Sequence, residues 1–155
     1  MLTGIALGIA QGADDSVVDG LRGRVARYSG KSLADMTAVQ IKIAEAAACY
    51  RHRATGDARS LPDGPDAGRA RRSARSRCTK ATWRRDGAFS AELCERAVDV
   101  LFKVGGGGAL FDDHPLQRAF RDVHAATAHI SMIWEPQATT FGRVALGLPC
   151  DNPTL

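Results

Sequence analysis

The sequence AFSAELCERAVDVLFKVGGGGALFDDHPLQRAFRDVHAATAHISMIW, residues 88–134, carries the clearest structural signal in the chain. In its first part apolar residues recur every three or four positions, which predicts an amphipathic helix that ends at the glycines 105–108. Residues 112–115, Asp-Asp-His-Pro, are typical of a helix start, since acids suit the first turn and proline suits the first helical position. The same spacing returns from Leu116 to Trp134, and Pro136 is predicted to end or kink this second helix.

Three further helices are predicted outside this region. Residues 3–28 place apolar side chains four positions apart, and Gly30 then provides a left-handed residue after the helix end. Another helix is predicted to start near Asp35 or Thr37, and a short last helix is expected from Gln137 to Leu146. Alanine dominates the apolar residues and aromatic residues make up only 6%, which favours closely packed helices over a β-sandwich. The sequence therefore predicts one all-α domain of 155 residues.

Residues 51–80 lack helical periodicity. The stretch 51–85 holds ten arginines and one lysine but only three aspartates, and several glycines and prolines interrupt residues 56–68. An irregular or poorly ordered basic segment is predicted near 51–80. A nucleic-acid-binding role for Arg69–Arg85 is an alternative, but neither interleaved aromatic residues nor a recognition-helix pattern supports it.

The four consecutive glycines 105–108 are the most unusual feature of the chain. One glycine suffices to end a helix, so the others indicate either a flexible connection or a backbone that a phosphate or a cofactor ring approaches closely. No Gly-Lys-Ser/Thr follows, and no strand precedes, so the glycines do not form a nucleotide-binding loop of a known type.

Two histidines, His124 and His129, are predicted on one helix at a separation of five residues. Five residues turn a helix through about 500°, so the two rings point about 140° apart and cannot bind one metal ion together. Either ring could face a cavity as hydrogen-bond donor or general base, although a structural or surface role is more common for a helical histidine. The four cysteines form no C-x-x-C pair, so free thiols, a cytoplasmic protein and no metal site are expected.

Residues 84–155 resemble the C-terminal end of the oxygenase component of two-component flavin-dependent monooxygenases, which hydroxylate 4-hydroxyphenylacetate or steroid-derived phenols and share the acyl-CoA dehydrogenase fold. The most specific pieces are the glycine elbow, HPLQRAFRDVHAATAH at 114–129 and GRVALGL at 142–148. Residues 4–48, with ALGIAQGA and VQIKIAEAAA, resemble the first two helices of the same domain. The resemblance implies an antiparallel four-helix bundle of the acyl-CoA dehydrogenase C-terminal type, with a short extra C-terminal helix. It also implies that the N-terminal helical domain and the β-domain of the family are absent here.

The resemblance further implies a site and its partners. His129 would be the catalytic residue that polarises or deprotonates the phenol, and Gly107, Gly108 and the backbone of His129-Ile130 would contact the flavin. Arg24 or Arg27 would reach the cofactor of a neighbouring subunit. Reduced FAD or FMN would come from a separate flavin reductase component, the substrate would be an aromatic small molecule, and the protein would form a homo-oligomer, a tetramer in the family. Little independent activity is expected.

Other readings of the same residues stay open at this point. A remnant of an acyl-CoA dehydrogenase would share the bundle, but His129 within RDVHAATAH favours the monooxygenase. A purely structural or oligomerisation domain is a further alternative. No apolar stretch reaches the length of a membrane span, and neither a membrane nor a nucleic-acid partner is expected.

Overall fold

A computed structural model describes residues 2–27, 30–54, 69–149 and 152 of the chain. They form five α-helices, with a 3₁₀ turn at Gly106–Leu110: α1 Leu2–Leu21, α2 Thr37–Ala54, α3 Arg69–Gly105, α4 Pro115–Thr127 and α5 Trp134–Ala145. These ranges contain no β-strand, only one isolated antiparallel bridge between Val25 and Ser32. The predicted all-α class is confirmed. None of the helices described is long and apolar enough to cross a membrane.

The long helix α3 is the centre of the fold, and each of the other four helices packs against it. Small side chains make this close approach possible, because half of the buried apolar residues are alanines. The largest fully buried side chains fill the spaces between them: Tyr50, Leu101, Leu116, Val98, Val123 and Cys94. The core thus follows from the alanine-rich composition noted in the sequence.

Helix directions follow from contacts near the helix ends. Thr3, at the start of α1, contacts Met132 just beyond α4, and the loop after α1 meets the loop before α4 at Arg24 and Gly108. Helix α4 therefore runs opposite to α1. On the other side, Glu45 of α2 pairs with Arg96 of α3.

Helix α1 is shorter than predicted, because it ends at Leu21 and does not reach residue 28. Gly23 takes a φ of +84°, a left-handed conformation that stops the helix, and Gly30 takes a φ of +64° as predicted. Two backbone hydrogen bonds, from Leu33 to the Arg24 carbonyl and from Ala26 to the Lys31 carbonyl, tie the following loop together. The apolar spacing that continues from Leu21 to Val25 therefore predicts a helix where the chain forms a loop.

The prediction of an irregular segment near 51–80 is wrong for residues 51–54 and 69–80, which belong to α2 and α3. No glycine or proline occurs between 69 and 86, and alanine and arginine are strong helix formers. The helix therefore extends to residue 69, although its first turns hold no large apolar residue. Packing of the later turns of α3 on the core stabilises the whole helix. The remainder, residues 55–68, lies outside the described residues.

The predicted helix from 116 to 134 is also too long. Helix α4 ends at Thr127, a turn occupies 128–133, and Pro136 lies in the first turn of α5 rather than at the end of α4. A proline is tolerated there because the first backbone N–H groups of a helix have no partner within it. His129 therefore lies in a turn, and the angle predicted between His124 and His129 does not apply.

Candidate functional site

The four glycines of the elbow differ in what the fold requires of them. A Cβ on Gly105 would lie 2.7 Å from Cδ1 of Leu116 and 2.9 Å from Cβ of Ala109, so glycine is needed where α3 meets α4. Gly106 has a φ of +62°, which side-chain-bearing residues rarely adopt. Gly107 and Gly108 have negative φ and no such steric conflict. The two glycines predicted to contact a cofactor are thus the two that packing and backbone conformation leave unexplained.

Arg24 lies beside this elbow. A Cβ on Gly108 would be 3.6 Å from Nη2 of Arg24, so the guanidinium faces the glycine directly. The hydrogen bonds of the 24–33 loop fix the backbone from which Arg24 projects, and its side chain remains exposed. Arg27 is exposed in the same loop. The structure therefore brings Arg24 and Gly108, two of the residues predicted for cofactor binding, into one site.

Two large apolar side chains follow the elbow at the surface. Leu110 and Phe111 are 69% and 68% exposed, so two adjacent large apolar side chains face solvent beside the elbow. His114, beyond them, caps α4 by accepting a hydrogen bond from the N–H of Leu116 at its Nδ1, 3.2 Å away, which confirms its predicted role as a helix-start residue. The elbow thus combines a cation, exposed glycine backbone and an uncovered apolar edge.

The turn at 128–133 holds the other predicted residues. His129 is exposed, and its Nδ1 accepts a hydrogen bond from the N–H of Ser131 at 3.2 Å. In a neutral imidazole that bond leaves the proton on Nε2, which can then donate a hydrogen bond. The carbonyl of Ile130 accepts a hydrogen bond of 3.0 Å from Gln137, so the turn is held to α5, while the Ile130 side chain is 62% exposed.

Aromatic side chains gather on α3 and α5 beyond this turn. The rings of Phe89 and Trp134 are 5.5 Å apart, and the guanidinium of Arg85 lies 4.0 Å above the ring of Phe141. Phe89 is 49% exposed, so this aromatic pair is open to solvent on one side. No local sequence pattern indicates the pairing of Trp134 with Phe89, because the two lie 45 residues apart.

His124 has a structural place in the fold. Its Nδ1 lies 3.3 Å from Glu95 and its Nε2 lies 3.2 Å from Asp99, both on α3, and its ring meets Phe120 edge-on. Thr127 donates a hydrogen bond of 2.6 Å to the same Glu95. His124 thus lies between α4 and α3, beside two carboxylates of α3.

The elbow and the His129 turn lie at opposite ends of α4. The helix has 13 residues, which at 1.5 Å per residue separates its ends by about 20 Å. Arg24 and Gly108 meet at one end, and His129 and Ile130 lie at the other. Within one copy of the chain the predicted residues therefore form two groups.

The family follows from comparison with known proteins. The sequence model of one protein family, the acyl-CoA dehydrogenase C-terminal domain, matches residues 1–134 of the chain. The chain belongs to this family. The fold of this acyl-CoA dehydrogenase C-terminal domain is similar to that in the crystal structure of the HsaA monooxygenase from Mycobacterium tuberculosis, with a TM-score of 0.72. The two sequences are 25% identical, and the match covers 99% of this chain and 39% of that one.

The relatives of this acyl-CoA dehydrogenase C-terminal domain include oxygenases. It is 34% identical to the oxygenase component of an FADH2-dependent resorcinol hydroxylase of Rhizobium sp., over 96% of this chain and 40% of that protein. It is 29% identical to the oxygenase component of the p-hydroxyphenylacetate 3-hydroxylase of Acinetobacter baumannii, over 97% of this chain and 35% of that protein. The chain thus spans about two fifths of the length of the curated relatives that it matches.

Proposed function

We propose that the chain is the C-terminal helical domain of an oxygenase that hydroxylates phenolic rings with O₂ and a reduced flavin delivered by a separate reductase. Residues 1–155 would form this one domain. The juxtaposition of Arg24 with Gly108 carries the proposal, because it places a cation against the unexplained glycines of the elbow. The names of the sequence relatives support the reaction: one is an FADH2-dependent resorcinol hydroxylase and the other a p-hydroxyphenylacetate 3-hydroxylase.

The elbow fits the phosphate-bearing part of a flavin. A guanidinium donates paired hydrogen bonds to phosphate oxygens, and an exposed glycine backbone lets such a group approach more closely than a side chain would. A Cβ at 108 would only touch the guanidinium of Arg24, and one at 107 would fill space that is now open, so both positions leave room beside the cation. Arg27, in the same loop, would add positive charge for either FMN or FAD.

The turn that holds His129 fits the ring of the flavin and the phenolic substrate. With the proton on Nε2, His129 would donate a hydrogen bond to the substrate oxygen and stabilise the phenolate, which makes the ring more nucleophilic. The hydrogen bond to Nδ1 supports polarisation rather than proton abstraction as the proposed role of His129. The backbone at Ile130, held by Gln137, would lie against the flavin edge. When bound, reduced flavin supplies the electrons that activate O₂.

The separation of the two groups suggests how the domain is used. An isoalloxazine ring is much shorter than the distance of about 20 Å between the ends of α4. We therefore assign the two ends to different parts of an extended FAD, or to the sites of two copies in a homo-oligomer. The exposed Leu110, Phe111 and Ile130 would be covered in such an assembly, which in this family we expect to be a tetramer. The remaining walls would come from the part of the relatives that this chain does not span, so the chain alone should have little activity.

Binding of reduced flavin tests the proposal. The full chain is titrated anaerobically with reduced FAD and with reduced FMN, and the dissociation constant of wild type is compared with that of Arg24→Ala. Loss of a charge-assisted contact should weaken binding by roughly tenfold or more. Arg121→Ala, an exposed arginine in the middle of α4, is the matched control and should bind as wild type does. Equal affinities for all three proteins would refute the assignment of Arg24.

A further inference from the structure

Gln137 is a polar residue in the buried interior beside α5. It is 3% exposed and is one of the two buried residues of this helix. Its Nε2 donates a hydrogen bond of 3.0 Å to the carbonyl of Ile130, in the turn 128–133 that precedes α5. Its Oε1 is also buried, yet no donor in the described part of the chain reaches it. The amide of Gln137 is thus directed at the turn that holds His129.

Packing alone does not explain a glutamine at position 137. Buried amide oxygens in proteins are normally hydrogen-bonded, because an unpaired one loses its hydration without compensation. Leucine or methionine has a similar volume and would bury no such oxygen, so either would serve the packing of α5 on α3 better. Thr140, the other buried residue of α5, uses its hydroxyl fully, since it donates to the Pro136 carbonyl and accepts from Asn152. What glutamine adds at 137 is the hydrogen bond to Ile130.

The carbonyl that Gln137 binds belongs to the same peptide group as an N–H that binds His129. The peptide between Ile130 and Ser131 is planar and trans, so its C=O and N–H point in opposite directions and turn together. The C=O accepts the bond from Gln137, and the N–H donates to Nδ1 of His129 at 3.2 Å. A hydrogen bond at the carbonyl also polarises the group and strengthens the donor at its other end. Gln137 therefore fixes, through one rigid group, the donor that faces the imidazole.

Packing restrains this peptide little. His129 is exposed and the side chain of Ile130 is 62% exposed, so neither is held by a surrounding core. Another side chain that reaches the turn is Thr3, whose hydroxyl lies 3.7 Å from the sulfur of Met132, and a thioether is a weak acceptor. Without the amide of Gln137, the peptide between Ile130 and Ser131 would be free to rotate.

We propose that Gln137 is a positioning residue that holds His129 in the tautomer with its proton on Nε2. A neutral imidazole carries one ring proton, so a backbone N–H aimed at Nδ1 requires that nitrogen to be the acceptor. The N–H of Met132 also donates to the His129 carbonyl at 2.7 Å, which holds the backbone of the histidine in place. Nε2 is left as the donor. The use of this donor on a phenol rests on the proposed function, whereas the tautomer itself does not.

The tautomer is measured in the full chain without a ligand. Histidine is labelled with nitrogen isotope, the signals of His129 are assigned from a His129→Ala variant, and its two ring nitrogens are followed by nuclear magnetic resonance at a pH where imidazole is neutral. Wild type should carry the proton on Nε2. In Gln137→Leu the preference for this tautomer should fall by about fivefold, the ratio for one ordinary hydrogen bond, so the two ring shifts should move toward each other.

A matched control separates this effect from the loss of any buried glutamine. Gln117 on α4 also has a buried Oε1 that no donor in the described ranges reaches, and it lies at the end of α4 far from the turn. Gln117→Leu should therefore keep the ring shifts of wild type. A shift in Gln117→Leu as large as that in Gln137→Leu would refute the proposal.

A merely structural role for Gln137 gives a different result. It would lower Tm in Gln137→Leu and leave both His129 shifts unchanged, and that outcome, like a wild-type proton on Nδ1, would show the proposal to be wrong. Should Gln137→Leu fail to fold, Gln137→Met, which is closer in shape to glutamine, decides by the same shifts. If wild type does not bind reduced flavin but Gln137→Leu still moves the ring shifts, the proposed function is wrong and the role of Gln137 stands.

Discussion

Substitution of Gly105 by alanine should destabilise the domain, whereas the same change at Gly107 should not. The new methyl group at 105 would lie 2.7 Å from Cδ1 of Leu116 and 2.9 Å from Cβ of Ala109. Leu116 is 1% exposed and Ala109 is fully buried, so neither can move away without disturbing the core. Overpacking of this kind costs about 1–3 kcal/mol, offset by up to about 1 kcal/mol because alanine is the better helix former. A net loss of about 1–2 kcal/mol in the free energy of unfolding is expected.

The assay is thermal unfolding followed by far-ultraviolet circular dichroism. For a domain of this size each kcal/mol lowers Tm by about 2–4 °C, so Gly105→Ala should unfold several degrees below wild type. Gly107→Ala should unfold within about a degree of wild type, because a Cβ there meets nothing within 4 Å and the φ angle is not positive. A Gly105→Ala protein as stable as Gly107→Ala would refute the division of the elbow into packing glycines and binding glycines.

Two further predictions concern titratable groups. Burial raises the pKa of the Cys94 thiol to about 11. In a variant whose only cysteine is Cys94, roughly one thiol in a thousand is therefore ionised at pH 8, and its reaction with a disulfide reagent should be slow and accelerate about tenfold per pH unit. A reaction as fast as that of a free thiol would contradict this prediction. Hydrogen bonds from Lys42 and Arg96 hold the pKa of the Glu45 carboxyl below its ordinary value of 4.5. The ionised carboxylate therefore stabilises the folded protein above pH 4.5, and this stabilisation is lost as the pH falls through the lowered pKa of the folded state. Glu45→Gln should therefore lower Tm at neutral pH and match wild type in acid, and a Tm difference that persists in acid would exclude the ion pairs as its cause.

Much of the fold could be predicted from the sequence because its signals are local. The apolar spacing around Leu93–Val104 and the Asp-Asp-His-Pro start of α4 place two helices that the structure confirms. The end of α4 was missed because the apolar pattern continues through Ile130 and Ile133, and because Pro136 suits the first turn of a new helix as well as the end of an old one. The first turns of α3 were missed because helix propensity, rather than an apolar face, forms them.

The site could be predicted only in part because it depends on contacts between distant residues. The resemblance named Arg24 and Gly108, but their meeting follows from the direction of α4 relative to α1, which no local pattern encodes. The burial of Gln137 is likewise invisible in the sequence, where it follows Glu135 and Pro136 in what looks like a polar helix start. Whether a polar side chain is buried depends on which helix packs against it.

The most direct test of the flavin assignment uses protein labelled with nitrogen isotope at glycine only, with the signals of Gly107 and Gly108 assigned from alanine variants. Reduced FAD is added under anaerobic conditions to wild type and to Arg24→Ala. The amide signals of Gly107 and Gly108 should shift in wild type and much less in Arg24→Ala, while those of Gly12 and Gly20, exposed on α1, should stay in place. Elbow signals that do not move, or that move equally in both proteins, would contradict a flavin phosphate site at Arg24 and the glycine elbow.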